Sequence, residues 1–166
     1  MGNMIVILGA SGDLTARKLI PALYNNFRKK RLQEETVVLG FARRPYSDDF
    51  FRQNMKEAVA SFAPGDFNEG EWGKFSKMLF YQQGEFSGEK HYQQLSRRIS
   101  ELSPSTQNCL YYLSTAPEFY PTIVTHLAGA NLLSETGGGY PRVVIEKPFG
   151  RDLASALSLN HVLHGA

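Results

Sequence analysis

The chain has 166 residues, of which 42% are hydrophobic and 20% charged, a composition typical of a globular domain rather than a disordered chain. Its formal net charge is only +2, with eighteen basic residues scattered among sixteen acidic ones, which argues against nucleic-acid binding. No apolar run is long enough to cross a bilayer, and no secretory signal opens the chain. A single cysteine, Cys109, excludes an internal disulfide and a cysteine metal cluster. We therefore expect one cytoplasmic domain with no bound metal, no membrane contact and no nucleic-acid partner.

The first predicted element is an apolar strand over residues 4–8 that meets a glycine turn. The turn has the sequence Gly9-Ala10-Ser11-Gly12-Asp13-Leu14. Gly9 can adopt backbone angles closed to other residues, and Gly12 lets a ligand approach the backbone. The N–H groups of the following helix would face an anion over the turn, typically a dinucleotide pyrophosphate. Thr15 stands near the place of the third glycine of the G-x-G-x-x-G pattern, so a plain turn is the alternative.

A second strand is predicted over residues 36–42, and the residues after it indicate the coenzyme. In NAD-binding folds an acidic residue at this point accepts the ribose hydroxyls, whereas arginine accommodates the 2′-phosphate of NADP. This strand runs into Arg43 and Arg44. A guanidinium pairs with phosphate through a planar fork and finds no such partner on a bare 2′-hydroxyl. The pair predicts NADP, with two exposed loop arginines as the alternative.

The remaining segments alternate between helix and strand. Helices are predicted over residues 47–62, 89–102 and 114–130 and after Asp152, and strands over residues 77–82 and 109–114. Residues 142–150 are predicted as a fifth strand that ends in a charged turn. Pro21 is expected to bend the first helix or to mark a turn in it, and residues 63–73 are predicted as loop. Apolar residues assigned to the buried sides of the second and last helices are Phe50, Phe51, Met55, Val59, Leu153, Leu157 and Val162. Five strands alternating with helices predict an α/β fold, a Rossmann-like doubly wound parallel sheet in a three-layer αβα arrangement.

The carboxyl ends of the predicted strands define the candidate site, because ligands of open parallel sheets bind there. These ends carry the glycine turn, Arg43-Arg44, Glu85-Phe86, Ser114 to Pro117, and Glu146-Lys147-Pro148. The Lys147 ammonium, held before a proline, could contact the nicotinamide and a substrate hydroxyl or phosphate. A solvated lysine paired with Glu146 is the alternative.

Three motifs together resemble the N-terminal coenzyme domain of the glucose-6-phosphate dehydrogenase family. They are the stretch from Gly9 to Pro21, the stretch Gly40-Phe41-Ala42-Arg43, and the stretch from Glu146 to Leu153. The resemblance covers essentially the whole chain and implies an NADP-binding Rossmann domain over residues 1–166. It further implies an enzyme of the oxidative pentose phosphate pathway, which oxidises glucose 6-phosphate to 6-phosphogluconolactone by hydride transfer to NADP. A homo-oligomer is expected for the full-length enzyme.

The resemblance implies a role for each residue at the strand ends. Ser11 and Arg43 would hold the 2′-phosphate, and Arg44 would flank the adenine. The residues placed nearer the rest of the coenzyme are Gly12 to Leu14 beneath the pyrophosphate, Glu85 and Phe86 at the adenosine, and Ala116, Pro117 and Tyr120 toward the nicotinamide. Glu146 would also bind the coenzyme. Lys147 would contact both coenzyme and glucose 6-phosphate. The family tends to have two prolines where this chain has Ala116-Pro117, which is a local departure.

No catalytic residue is assigned within the chain. The family's general base is a histidine in an Arg-Ile-Asp-His-Tyr segment of a second, α+β domain, and that segment is absent from residues 1–166. The four histidines are all predicted to lie away from a strand end: His91 and His126 on crossover helices, and His161 and His164 on the last helix. Hydride transfer from a sugar hydroxyl needs a base within hydrogen-bond reach. We therefore expect this chain to be catalytically silent alone.

Two other functions fit parts of the pattern. One is a stand-alone NADP sensor or regulatory module, against which the intact Lys147 motif argues, since a sensor has no use for it. The other is a different NADP-dependent sugar oxidoreductase with Glu-Lys-Pro after its fifth strand, against which the Gly12-Asp13-Leu14-Thr15 helix start argues. Short-chain dehydrogenases are excluded because the chain has no Tyr-x-x-x-Lys pair.

Overall fold

Five parallel strands form a single sheet in the computed structural model, which describes residues 3–104, 108–135, 139–147 and 152–165. The strands are β1 (Asn3–Leu8), β2 (Val37–Ala42), β3 (Leu79–Gln83), β4 (Asn108–Leu113) and β5 (Pro141–Ile145). Their order across the sheet is β3-β2-β1-β4-β5, and every neighbouring pair is parallel. The predicted doubly wound α/β fold is confirmed.

Helices cover both faces of this sheet. They are α1 (Ile20–Arg28), α2 (Asp48–Phe62), α3 (Glu69–Phe75), α4 (Glu89–Leu102), α5 (Tyr120–Gly129) and α6 (Leu153–Gly165). Helices α1 to α3 contribute to one buried cluster, through residues such as Tyr24, Phe51 and Trp72. Helices α4 to α6 contribute to the other, through residues such as Leu95 and Leu127. The molecule is therefore three layers thick, as expected.

Strand β1 lies at the centre and is buried on both faces. Met4, Val6 and Leu8 point into one apolar cluster, and Ile7 points into the other. Alternate residues of a strand face opposite sides, so a strand covered on both sides needs apolar residues throughout. This requirement explains the uninterrupted apolar run that opens the sequence.

Pro21 lies where the first helix changes its hydrogen-bonding pattern. A π-helical turn, Thr15–Leu19, precedes α1, and the backbone N–H of Ile20 donates to the carbonyl of Thr15. Pro21 directly follows this turn, and the change of hydrogen-bond spacing there accommodates a residue that has no N–H to donate. The irregularity next to Pro21 is a change of helix type, and a bend or a turn there stays a prediction.

The prediction of loop over residues 63–73 is wrong in part, because α3 begins within it. The Asn68 side chain caps this helix by accepting a hydrogen bond from the Glu71 N–H at 3.0 Å. Trp72 and Phe75 are buried, whereas Gly73 faces open space. A glycine costs a helix about 1 kcal/mol, and burying one large apolar side chain returns about 1.5–3 kcal/mol. Burial of the two aromatic rings therefore outweighs the two glycines of α3, Gly70 and Gly73, that suggested a loop.

Three residues predicted to be buried are exposed instead. Phe50 is 51% exposed, and Leu153 and Leu157 are 75% and 60% exposed. Helix α6 contacts the core through Leu159, and the Val162 side chain lies outside the described residues. Helical spacing marks a stripe of apolar residues, but the packing of neighbouring helices decides which edge of it is covered.

No helix in the described part of the chain is long and apolar enough to cross a membrane. The segment 148–151 of the fifth-strand motif lies outside the described residues.

Candidate coenzyme site

The order of the strands places a crevice at the carboxyl end of β1. The chain passes from β1 to β2 and β3 on one side and then returns to β4 and β5 on the other. The direction of winding therefore reverses between β1 and β4, which is where doubly wound sheets bind their ligands. Gly9 follows β1 and Ser114 follows β4, so the two residues meet at this point.

Gly9 is required by both its backbone angle and its surroundings. Its φ is +99°, and a Cβ there would lie 2.2 Å from the carbonyl oxygen of Ser114. Its N–H donates to the carbonyl of Phe41 in β2 at 2.8 Å. The turn is wedged between the ends of β2 and β4, and only glycine fits.

Gly12 occupies a different environment. It is exposed, and a Cβ there would contact only the Gly9 carbonyl oxygen, at 3.1 Å. Asp13 and Leu14 are already helical, so their N–H groups have no partner within the helix. The Asp13 carboxylate accepts a hydrogen bond from Arg17 at 3.3 Å. The outer side of the turn thus offers free donors and an open backbone, which fit an anionic ligand.

Thr15, which stands near the place of the usual third glycine, is fully buried. Its hydroxyl lies 3.1 Å from the Ser114 hydroxyl and 3.4 Å from the Gly9 carbonyl. These contacts join the first helix to the ends of β1 and β4. The departure from the glycine pattern therefore has a structural explanation: hydrogen bonds replace the close packing that glycine permits.

We expect Thr15→Val to lower the free energy of unfolding by about 1–2 kcal/mol, because it keeps the shape and removes the buried hydroxyl. Urea denaturation measures the change. Thr125→Val, at an exposed position of α5, is the matched control and should stay close to the unsubstituted chain. Equal stability of the two variants would contradict a structural role for the Thr15 hydroxyl.

Ser11 and the two arginines lie around Tyr81 of β3. The Tyr81 hydroxyl is 2.8 Å from the carbonyl of Arg44 and 3.1 Å from that of Ala42, and it hydrogen-bonds the Ser11 side chain. Burial raises the pKa of Tyr81 to about 12, and the Ser11 hydrogen bond opposes this. The Arg44 guanidinium donates to the Tyr46 hydroxyl at 3.0 Å, which raises the pKa of Arg44. Ser11 thus lies beside the backbone that carries both arginines.

Arg43 is exposed and shares a cavity with the ends of β3 and β4. The cavity has a volume of about 300 Å³, and its lining includes Arg43, Glu85, Phe86, Thr115 and Phe119. The Phe86 and Phe119 rings contact each other with centroids 5.5 Å apart. Residues that the sequence places at three separate strand ends therefore border one pocket. Their contact with a coenzyme stays a prediction.

Glu146 is held between two tyrosines at the end of β5. The Tyr112 hydroxyl donates to Glu146 Oε1, and the Tyr120 oxygen accepts the backbone N–H of Glu146. Burial and the nearby carboxylate raise the pKa of Tyr112 to about 12. Ala116 is exposed, and Pro117 begins a 3-10 turn that leads into α5 and positions Tyr120. Glu146 is therefore hydrogen-bonded to two tyrosines, whereas the neighbouring Lys147 is exposed.

His91 contradicts the prediction that every histidine lies away from a strand end. Its Nδ1 accepts a hydrogen bond from the backbone N–H of Glu85 at 3.0 Å, two residues beyond β3. His126 instead stacks on Tyr92 with ring centroids 5.1 Å apart, and His161 is exposed on α6. The His164 side chain lies outside the described residues. The first turn of a helix that follows a parallel strand lies near the carboxyl edge, and His91 belongs to such a turn.

A closed turn at Gly9, free helix N–H groups and an exposed arginine after β2 define a doubly wound dinucleotide-binding domain. A family model described as "Glucose-6-phosphate dehydrogenase, NAD binding domain" matches residues 6–166. The chain belongs to this family, and its coenzyme is a nicotinamide dinucleotide.

Relatives and solved structures agree with this assignment. Glucose-6-phosphate 1-dehydrogenase of Chlamydia pneumoniae is 41% identical over 167 residues, which covers 97% of this chain and 33% of that protein. The Bacillus subtilis enzyme of the same name is 36% identical over 166 residues, covering 98% and 32%. The crystal structure of glucose-6-phosphate 1-dehydrogenase from Mycobacterium avium has a TM-score of 0.87 at 30% identity, covering 99% and 34%. The chain thus spans about a third of the length of the curated relatives it matches.

Proposed function

We propose that residues 1–166 form the NADP-binding domain of a glucose-6-phosphate dehydrogenase, which oxidises glucose 6-phosphate to 6-phosphogluconolactone. The observation that carries the choice of NADP is Arg43. It follows β2 directly, it is exposed, and it borders the pocket formed with Glu85 and Phe86. A domain specific for NAD has an acidic residue at this point.

In this proposal, each group of strand-end residues contacts a different part of the coenzyme. Ser11 and Arg43 bind the 2′-phosphate, and Arg44, oriented by Tyr46, flanks the adenine. The remaining contacts are Gly9, Ala10 and Gly12 to Leu14 with the pyrophosphate, Glu85 and Phe86 with the adenosine, and Ala116, Pro117, Tyr120 and Glu146 with the nicotinamide half. NADP supplies the hydride acceptor when bound. Lys147 contacts the nicotinamide half and orients the sugar phosphate against it.

The substrate is supported by one solved relative. It is a glucose-6-phosphate dehydrogenase solved in complex with its substrate glucose-6-phosphate, with a TM-score of 0.86 at 30% identity, covering 98% of this chain and 34% of that one. We assign no base among the described histidines and so propose coenzyme binding without turnover for this chain. Formation of NADPH from glucose 6-phosphate by the purified chain would contradict that.

We further propose that the full-length enzyme forms homo-oligomers and that it is located in the cytoplasm. The location is supported by a potato relative that is named as a cytoplasmic isoform.

Substituting Lys147 tests its proposed contact with the coenzyme. We expect Lys147→Ala to weaken NADP binding about tenfold, since a hydrogen bond from a charged group is worth about 1.5–3 kcal/mol. Calorimetric titration measures the affinity. Lys77→Ala, which removes the same charge just before β3 at the opposite edge of the sheet, is the matched control and should change little. An equal effect of both variants would indicate general electrostatic attraction, and no effect of Lys147→Ala would remove this residue from the site.

A further inference from the structure

Two adjacent side chains in the first turn of α4 hydrogen-bond the backbone of the loop between β3 and α4. His91 Nδ1 accepts the Glu85 N–H at 3.0 Å, and the Tyr92 hydroxyl donates to the Phe86 carbonyl at 3.0 Å. Tyr92 is fully buried, so core packing holds the hydroxyl that binds the Phe86 carbonyl. Neighbouring side chains therefore hold the peptide groups of the two residues proposed to contact the adenosine.

The loop closes tightly around the His91 side chain. A Cβ at Gly88 would lie 2.5 Å from His91 Nδ1, whereas a Cβ at Gly84 would lie 2.3 Å from the Phe41 ring and 3.1 Å from the Cβ of His91. The Gly88 N–H donates to the Glu85 carbonyl at 3.3 Å, which completes the turn. The absence of a side chain at Gly88 leaves the space that the imidazole occupies, so the histidine is an integral part of the loop rather than a surface residue beside it.

The hydrogen bond from Glu85 defines the state of the ring. Because Nδ1 accepts, it carries a lone pair, and the proton of the neutral ring is on Nε2. A second proton at Nδ1 would remove the acceptor and set two donors against each other. The imidazole borders a cavity of about 370 Å³ whose charged lining residues are Arg43 and Glu85. Its other lining residues are neutral, and the flanking charges on α4 itself are Glu89 and Lys90.

We propose that His91 is a positioning residue for the coenzyme. Its neutral imidazole holds Glu85, and with Tyr92 it holds Phe86, in the arrangement that borders the pocket. This inference rests on the proposed function, and it assigns to His91 a role that its place on a crossover helix did not suggest.

Two variants separate this role from a merely structural one. His91→Ala removes the acceptor, whereas His91→Asn places an amide oxygen near the position of Nδ1. At about pH 8 we expect His91→Ala to weaken NADP binding about five- to tenfold and His91→Asn to retain most of the affinity, in calorimetric titrations.

Controls and a second readout keep the outcomes distinct. His161→Asn, at an exposed position of α6, should bind NADP as tightly as the unsubstituted chain. Amide hydrogen exchange at Glu85 should be slow in the unsubstituted chain and in His91→Asn and fast in His91→Ala. If His91→Ala and the unsubstituted chain had equal NADP affinity, or equal amide exchange at Glu85, the inference about His91 would be overturned. The proposed function would remain. A chain that binds no dinucleotide would contradict the proposed function and, with it, this inference.

Discussion

Gly9→Ala is expected to lower the free energy of unfolding by about 3 kcal/mol or more. A left-handed backbone angle costs a residue with a side chain about 1–2 kcal/mol, and the φ of Gly9 is +99°. The new methyl group would also lie 2.2 Å from the Ser114 carbonyl oxygen, and relieving such an overlap costs about 1–3 kcal/mol more. Because domains are stable by only about 5–15 kcal/mol, urea denaturation should show a large shift.

Gly12→Ala is the matched control for this substitution. A Cβ at Gly12 contacts a single atom at 3.1 Å, so its stability should stay within about 1 kcal/mol of the unsubstituted chain. Its NADP affinity should nevertheless fall, since the added methyl lies on the side proposed for the pyrophosphate. If Gly9→Ala were as stable as Gly12→Ala, the turn would not be wedged as described.

Arg43→Ala is expected to weaken NADP binding by about 1.5–3 kcal/mol, which is a factor of about 10 to 150, and to leave NAD binding unchanged. The reason is that a guanidinium hydrogen-bonds the 2′-phosphate through charged donors and has no equivalent partner on the 2′-hydroxyl of NAD. Calorimetric titration of the variant with each dinucleotide measures both affinities.

Arg31→Ala controls for loss of charge alone. Arg31 is exposed after α1, on the amino side of β2, and its removal changes the net charge by the same amount. It should reduce NADP affinity little. An equal loss in Arg31→Ala and Arg43→Ala would mean that long-range attraction, and not a phosphate contact, explains the effect.

Local sequence patterns predict the regular elements of this fold well. The apolar run at residues 4–8 and the valine-rich run before Gly40 are β1 and β2, because central parallel strands are buried on both faces. Ser47 caps α2 by accepting the Phe50 N–H at 3.1 Å, as its place before two aspartates predicts. Helix α4 has the predicted bounds, Glu89–Leu102.

Tertiary packing explains what the patterns missed. Trp72 and Phe75 stabilise α3 by burying their rings against Tyr24, a residue far away in the sequence. Leu153 and Leu157 have the spacing of a buried helix face, but the described elements leave them exposed. A pattern read within one segment contains no information about which other segment covers it.

In the candidate site too, local sequence predicts some features and tertiary packing determines others. The turn at Gly9 and Arg43 after β2 follow from local sequence, because strand ends carry the ligand contacts of this fold. The contacts of Ser11 with Tyr81 and of Glu146 with Tyr112 join residues from different strands and depend on the order of the sheet. The place of His91 depends on a loop that folds back onto α4. Sequence therefore indicates which residues reach the site, and the fold determines how they are held.

The choice of coenzyme is tested most directly by titrating the purified, unsubstituted chain with NADP and with NAD by calorimetry. We expect NADP to bind about tenfold or more tightly than NAD, because Arg43 and Ser11 gain the 2′-phosphate as a partner. Equal affinity for the two dinucleotides would contradict recognition of that phosphate, and binding of neither would contradict a coenzyme site at this edge of the sheet.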